Sequence, residues 1–196
     1  TGVQTCALPI FDLVTKIMIY AIFALSLELI VGGAGLVSFG HSAFFGIGAY
    51  AAVLLSPQGE AASLVWLLPG ALAAAALYAL AVGALSLRTR GVYFIMVTLA
   101  FAQMAYYVVH DTPLGGGTDG IYLTQKPTLF GLLELSKPEA VYALTLAALL
   151  LVFVFLAQLN RSRFGRTLAG IRVNEQRMRA GGYATYPYKL AAFTLS

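Results

Sequence analysis

The sequence predicts an all-α fold, a polytopic bundle of transmembrane helices with one broken or re-entrant segment. Of its 196 residues, 60% are hydrophobic and 10% are charged, against roughly half and a quarter in an average soluble domain. The mean hydropathy is +0.84, and several apolar stretches approach the ~20 residues that cross a bilayer. A water-soluble enzyme, a disordered tail and a disulfide scaffold are excluded, because polar residues are too few, hydrophobicity is too high and Cys6 is the single cysteine.

Four stretches are long and apolar enough to span, at about 13–31, 61–87, 91–109 and 139–159. A fifth, 42–55, would rise only about 21 Å as a helix, so we expect one of its ends to stop inside the membrane. The apolar segment from residue 188 is interpreted as the start of another span, and we therefore expect a fragment truncated at its C-terminus. Residues 1–10 have no initiator Met or periodicity and are interpreted as a non-native leader or a short native segment, ahead of a transmembrane domain at 11–196.

The Lys and Arg residues of the short loops orient this bundle, because cytoplasmic loops carry an excess of them. Arg88 and Arg90 lie in one loop, and six arginines crowd into residues 160–187. Both loops are predicted to be cytoplasmic, whereas residues 110–138, with three acids against two lysines, are predicted to lie outside. The Gly-rich stretch after Val31 then begins on the cytoplasmic side.

Four glycines separate the first span from the short helix, within the segment from Gly32 to His41. Glycine lets the backbone leave the helical region cheaply, and irregular backbone at membrane depth is tolerated only inside protein or along a water-filled cavity. We interpret the break as bordering a solute pathway, with Ser38 or Ser42 capping the short helix. A linker with close helix packing is the alternative. The candidate pathway residues are Gly32, Gly35, Ser38, Gly40, His41, Ser42, Thr98 and Gln103.

Each polar position also has a purely structural interpretation. His41 suits a capping or hydrogen-bonded histidine, and Thr98 and Gln103 suit interhelical hydrogen bonds. Because Thr98 and Gln103 are five residues apart, at most one is expected to line a narrow path. Glu28 can extend to the interface or act as a functional acid, and the glycines of 115–120 predict a turn or an anion-binding nest.

Residues 160–187 predict a short amphipathic helix that begins after a cap at Ser162 and stops at Gly181. Its apolar residues fall at i, i+4 and i+7 on one face: Phe164, Leu168 and Ile171. Three interpretations stay open, namely binding of anionic lipid, docking into a groove of a cytoplasmic partner, or a role of the arginines in topology alone. The ordered stripe favours docking.

Motifs for catalysis are missing from the sequence. No Gly-x-x-x-x-Gly-Lys-[Ser/Thr] phosphate loop is present, so we do not expect this chain to hydrolyse ATP. Its two histidines and one cysteine lie far apart, without metal-ligand spacing, and no Gly-x-Ser-x-Gly motif occurs. We therefore predict no catalytic residue, no metal site and no cofactor bound by the chain itself.

Four blocks of the sequence resemble the permease subunit of branched-chain amino acid ABC importers. They are GLVSFGHSAFFGIGAYAAVLL at 35–55, RGVYFIMVTLAFAQ at 90–103, GGGTDGI at 115–121 and SRFGRTLAGIRVNEQRMRAGGYATYPYKLAAFTLS at 162–196. The resemblance implies a multi-pass permease of the bacterial or archaeal plasma (inner) membrane that translocates branched-chain amino acids by alternating access. It also implies cytoplasmic ABC ATPase subunits that use ATP, a second homologous permease subunit and a periplasmic or extracellular substrate-binding protein. The lipid bilayer is the remaining partner, and no nucleic acid is expected.

On this resemblance, residues 160–187 form a cytoplasmic coupling loop. Glu175 and Gly181 keep the spacing of a Glu-Ala-Ala-x-x-x-Gly pattern, although Gln176 and Arg177 replace its alanines. The candidate ATPase-coupling residues are Phe164, Gly165, Arg166, Leu168, Ile171, Glu175, Arg179 and Gly181.

Two experimental expectations follow from the sequence. Truncation of Leu168 or Ile171 is expected to uncouple ATP hydrolysis from uptake while the bundle stays folded, and cysteines placed at 35–41 are expected to react with a small thiol reagent.

The alternative function is a channel or facilitator for a small neutral solute such as urea or short amides, which needs no ATPase dock. A noncatalytic membrane scaffold is a third, for which the glycine-rich break is superfluous.

Overall fold

A computed structural model describes residues 2–56, 63–112, 121, 128–129, 133–134 and 138–196, with side-chain burial from residue 10 onwards. The helices in chain order are α1 (Gly2–Glu28), its continuation as a π-helical segment (Leu29–Ala34), α2 (His41–Leu55), α3 (Leu64–Ser86), α4 (Val92–Asp111), α5 (Pro138–Arg161), α6 (Arg163–Val173), α7 (Glu175–Ala180) and α8 (Thr185–Leu195). Between α4 and α5, strands β1 (Thr128–Leu129) and β2 (Leu133–Glu134) pair antiparallel, with Thr128 opposite Glu134 and Leu129 opposite Leu133. The glycine run at 115–120, predicted as a turn or nest, lies outside the described residues.

Four helical segments are long and apolar enough to cross a membrane: Ile10–Ala34, Leu64–Ser86, Val92–Asp111 and Pro138–Arg161. The shorter α2 has 15 residues, about 22 Å of helix, and follows a break in regular structure. The predicted polytopic bundle with one broken segment is therefore confirmed.

The ends of the chain differ in detail from the sequence-based expectation. The first helix begins at Gly2 and so includes residues 2–10, for which the sequence showed no periodicity. The last helix begins at Thr185, three residues before the predicted start at 188. The assignment of residues 1–10 as a leader stays a prediction.

The last helix lies at the centre of the packing. Phe193 of α8 meets the rings of Phe44 at 5.3 Å and Phe94 at 6.1 Å between centroids, both edge to face. Gly83 of α3 permits this approach, because a Cβ there would lie 2.8 Å from the Phe193 ring. The cluster of buried residues comprises Ile30, Ala79, Val82, Phe94 and Phe193, and it joins α1, α3, α4 and α8.

The outer faces of the long helices are apolar and exposed. Trp66 on α3 is 82% exposed, and Leu156, at 8% exposure, is the one buried residue that the structure shows on α5. Such faces suit contact with acyl chains or with further helices of a membrane bundle. The core therefore lies toward one side, where α2, α3, α4 and α8 meet.

Candidate functional site

The helix break after the first span is held in place by the loop that follows the last long helix. The π-helical segment ends at Gly35, whose φ of +68° is left-handed and favours glycine. Arg172 Nη1 donates a hydrogen bond to the Gly32 carbonyl at 2.5 Å, and a Cβ on Gly35 would lie 2.9 Å from Arg172 Cγ. Two of the predicted pathway residues, Gly32 and Gly35, thus lie against α6.

His41 opens α2 inside the bundle. It is 4% exposed, and its Nε2 lies 3.1 Å from Ser26 Oγ of α1 and 3.2 Å from Ser196 Oγ after α8. Its Nδ1 has no hydrogen-bond partner within the described ranges. The predicted structural interpretation of a hydrogen-bonded histidine describes this position well, since His41 bridges three parts of the bundle.

The predicted side-chain cap of the short helix is wrong. Gly40 is the N-cap residue of α2, and no side chain makes a capping hydrogen bond there. Gly40 packs so closely on the Thr98 carbonyl that a Cβ would clash with it. Ser38 is buried, and its hydroxyl finds no partner among the described residues, whereas Ser42 is exposed on α2.

Thr98 and Gln103 point to different sides of α4, as their spacing predicts. Thr98 is 1% exposed, and its hydroxyl donates to the Ile95 carbonyl of its own helix at 2.9 Å. This bond replaces the expected interhelical one, because a threonine can bond the backbone one turn back. Gln103 is exposed toward the neighbouring α2.

A half-open cavity of about 410 Å³ lies between α2 and α4. Its polar lining includes Ser42, Tyr50, Gln103, Tyr106 and His110. Its apolar lining includes Phe39, Ile47, Leu99 and Val109. The arrangement can bind a small solute that has both polar and aliphatic groups.

The structure divides the eight predicted pathway residues among three places, and Gly32 and Gly35 lie at the contact of the helix break with α6. Ser42 and Gln103 line the cavity, whereas Ser38, Gly40, His41 and Thr98 lie in contacts between helices. The role of the eight in transport stays a prediction. Tyr50 and His110 were missed, although a helical spacing links them to the predicted residues: Ser42 and Tyr50 are eight apart on α2, and Gln103 and His110 are seven apart on α4.

Glu28 lies exposed at the end of α1, where the regular helix gives way to the π-helical segment. A Cβ on Gly32 would clash with its carboxylate, so Gly32 leaves room for this side chain. The position suits a side chain that extends to the interface.

The predicted cap at Ser162 is confirmed, and α6 follows it. Ser162 Oγ accepts a hydrogen bond from the Gly165 amide at 3.4 Å. Gly165 is required for the tight turn from α5, since a Cβ there would lie 2.5 Å from the Asn160 carbonyl oxygen. Arg166, one residue further on, is exposed.

The apolar stripe of α6 faces the chain's own bundle instead of an open groove for a partner. Leu168 is 0% exposed and packs with Ala34 and Ala192, and Phe164 stacks on Tyr188. Ile171 is also buried. The small residues Ala34 of the π-helical segment and Ala192 of α8 allow α6 to pack closely on the bundle. The spacing of residues in the sequence could not predict this contact. The expectation that the stripe itself docks is therefore corrected. Arg163 and Arg166 of α6 are exposed, whereas Arg172 reaches the helix break.

The predicted single helix is two helices, with a break at Asn174. Asn174 has an extended φ of −156°, and its side chain accepts from the Arg177 amide at 2.9 Å, which caps α7. Gly181 ends α7, and Gly182 follows with φ +84°. The predicted stop at these glycines is confirmed.

Glu175 ties α7 to α8 through three partners. Its carboxylate lies 2.6 Å from Arg179 Nη2 and 2.7 Å from Lys189 Nζ, and it accepts a hydrogen bond from Thr185 Oγ1 at 3.1 Å. Burial alone would raise the pKa of Glu175, but the hydrogen bond and charge of Lys189, with Thr185 and Arg179, hold the pKa below its usual range. Lys189 was missed because it lies 14 residues away on another helix.

Comparison with known proteins agrees with this architecture. The high-affinity branched-chain amino acid transport system permease protein LivM of Escherichia coli (strain K12) is 35% identical over 209 residues, covering 94% of this chain. LivM of Salmonella typhimurium (strain LT2) is 34% identical with the same coverage. The chain covers 49% of each, so it spans about half the length of these curated relatives. No solved structure matches it significantly.

A family model described as the permease component of the branched-chain amino acid transport system matches residues 9–196. The match includes all four candidate spans, the broken segment, the α2–α4 cavity and the loop that contains α6 and α7. The chain is a multi-pass membrane protein, and it belongs to the family of permease components of branched-chain amino acid transport systems.

Proposed function

We propose that the chain is the membrane-spanning part of a permease subunit that translocates branched-chain amino acids across the inner membrane by alternating access. The α2–α4 cavity carries this proposal. Its volume of about 410 Å³ falls in the range of roughly 300–1,000 Å³ typical of small-molecule sites. Family membership supports the solute class, since both relatives are named for branched-chain amino acid transport.

The cavity lining matches the chemistry of an aliphatic amino acid. The amide of Gln103 and the hydroxyl of Ser42 can hydrogen-bond a carboxylate or an ammonium group. Ile47, Leu99 and Val109 offer apolar contact to a branched side chain. A half-open cavity of this kind suits a solute that binds briefly and leaves, as a transport pathway requires.

The partners of this permease are proposed from the same family membership. They are cytoplasmic ATPase subunits that consume ATP, a second homologous permease subunit and a substrate-binding protein outside the membrane. The exposed Arg163 and Arg166 on the outer face of α6 are the side chains we propose to contact the ATPase. Leu168 and Ile171, packed beneath them, then transmit movement of α6 to the helix break.

Cysteine accessibility in the full-length assembled transporter, with Cys6 replaced by serine, tests the pathway. We expect Ser42→Cys and Gln103→Cys to react with a small membrane-permeant thiol reagent and to be protected by leucine. Thr98→Cys is the matched control, because it lies on the same helix but is buried. Equal reaction at all three positions, or no protection by leucine at Ser42 and Gln103, would contradict the proposal.

The same preparation separates the importer from the alternative facilitator. In proteoliposomes, an importer accumulates leucine only when ATP is present on the ATPase side. A facilitator for urea or short amides would equilibrate its solute without ATP and would show protection of Ser42→Cys by that solute.

A further inference from the structure

A second cavity, of about 530 Å³, lies at the end of the bundle that the arginine distribution assigns to the cytoplasm. It is formed where the helix break, the α3–α4 turn, α6, α7 and α8 meet. It shares no lining residue with the α2–α4 cavity. Its lining residues therefore indicate which ligand a second site could bind.

The lining is strongly cationic. It includes five cationic side chains, Arg88, Arg90, Arg172, Arg179 and Lys189, and one carboxylate, Glu175. Glu175 is already paired with Arg179 and Lys189. The remaining three arginines form no ion pair with any described carboxylate, and Arg172 makes one hydrogen bond to a backbone carbonyl. The cavity thus keeps a net positive charge that has no counter-charge within the described residues.

The rest of the wall suits an anion with an apolar tail. Thr89 and Gly91, next to Arg88 and Arg90 in the α3–α4 turn, line the same cavity. The hydroxyl and the amide of Thr89 already donate to the Ser86 carbonyl, so the guanidinium groups are the donors that face an anion. Leu36, Leu87 and Ile171 form an apolar part of the same wall. Guanidinium groups bind phosphate oxygens in a bidentate manner, and the apolar wall can contact the acyl chains of a lipid close to its headgroup.

We propose that this cavity binds the phosphate group of an anionic phospholipid of the cytoplasmic leaflet. The α3–α4 turn joins two membrane-crossing helices, which places the cavity at the level of the headgroups. Basic pockets between transmembrane helices on the cytoplasmic side are suited to anionic headgroups. A lipid there also supports the helix break, because Gly35 and Arg172 line the cavity. The inference does not depend on which solute is transported.

Native mass spectrometry of the full-length transporter, titrated with phosphatidylglycerol or phosphatidylcholine, tests the proposal. Each cation near an anionic ligand contributes about 1 kcal/mol, so we expect R88Q/R90Q to weaken phosphatidylglycerol binding at one site about thirty-fold. Phosphatidylcholine binding should not change. The control R163Q/R177Q removes two exposed arginines of the same loop region that do not line the cavity, and it should bind lipid as the parent does.

A single substitution tests the proposal independently, in case the double variant misfolds. R172Q leaves both arginines of the α3–α4 turn in place and should weaken phosphatidylglycerol binding about fivefold. Competition with millimolar inorganic phosphate identifies the source of the phosphate group: displacement of the lipid points to a soluble phosphate, and retention points to the phospholipid. Retention, together with the weaker binding of R88Q/R90Q, supports the proposed phospholipid, whereas displacement contradicts it and assigns the phosphate site to a soluble ligand.

Three results would overturn the proposal. Equal affinity for phosphatidylglycerol and phosphatidylcholine would show that the cavity does not select lipids with an anionic headgroup. An equal loss in R163Q/R177Q would show a diffuse effect of surface charge. Loss of the ATPase subunit from R88Q/R90Q with unchanged lipid binding would make the arginines part of a protein interface.

Discussion

Leu168→Ala tests whether the apolar stripe of α6 stabilises the permease or serves only to engage a partner. Leu168 is 0% exposed and lies against Ala34 and Ala192. Truncation removes three carbon atoms from this contact, about 2.4 kcal/mol at roughly 0.8 kcal/mol for each buried methylene-sized group. Incomplete closure of the resulting cavity brings the expected loss to about 3 kcal/mol.

The matched control is Val173→Ala, on the same helix. Val173 is 84% exposed, so its truncation should change stability by less than about 0.5 kcal/mol. The assay is thermal unfolding of the full-length protein in detergent, followed by size-exclusion chromatography of the fraction that stays monodisperse. We expect a clearly lower midpoint for Leu168→Ala and an unchanged one for Val173→Ala.

Coupling is measured separately, as leucine transported per ATP hydrolysed at a temperature below both unfolding midpoints. The packing predicts that Leu168→Ala lowers both stability and coupling, because the same contact holds α6 to the helix break. If Leu168→Ala unfolds at the same temperature as Val173→Ala yet loses coupling, the stripe does not pack on the bundle. The original expectation of a stripe that docks into a partner would then hold.

Three further predictions follow from single contacts. Gly35→Ala should destabilise the protein by about 1–2 kcal/mol in the same thermal assay, because φ is +68° and a Cβ meets Arg172, whereas Gly48→Ala, with open space around it, should not. Phe193→Ala should cost about 3 kcal/mol or more, and the exposed Phe153→Ala far less; similar unfolding midpoints would contradict the central place of α8. Because the pKa of Glu175 is lowered in the folded protein, its stabilising contribution is present at neutral pH and is lost as the pH falls through that lowered pKa. Glu175→Gln should remove this acid-dependent step, which thermal unfolding at a series of pH values would detect.

Features with a local cause could be predicted from the sequence. The long spans follow from hydropathy and length alone, and the Ser162 cap follows from one hydroxyl before an amphipathic run. The break near Gly35 follows from glycine content, because no other residue adopts that backbone as cheaply. Each of these features depends only on residues that are close together in the sequence.

Features with a long-range cause could not be predicted. The hydrogen bond from Arg172 to Gly32 joins residues 140 apart, and His41 meets Ser196 across 155 residues. Periodicity identifies which face of α6 is apolar, but it does not say whether that face meets a partner or the same chain. The wrong expectation of docking arose there, and the predicted cap is wrong because α2 begins directly after Gly40, so neither serine occupies the N-cap position.

The contacts of α6 connect the loop at 160–187 directly to the helix break that precedes the proposed pathway. Arg172 holds the carbonyl of Gly32, and Leu168 covers Ala34, so a shift of α6 acts directly on the π-helical segment. That segment leads through six residues to His41, the first residue of α2, and the next residue, Ser42, lines the cavity. π-Helical segments are rare, and they occur frequently at functional sites. The position of this one between α6 and α2 is therefore the physical basis for expecting that movement of the loop at 160–187 alters the cavity wall.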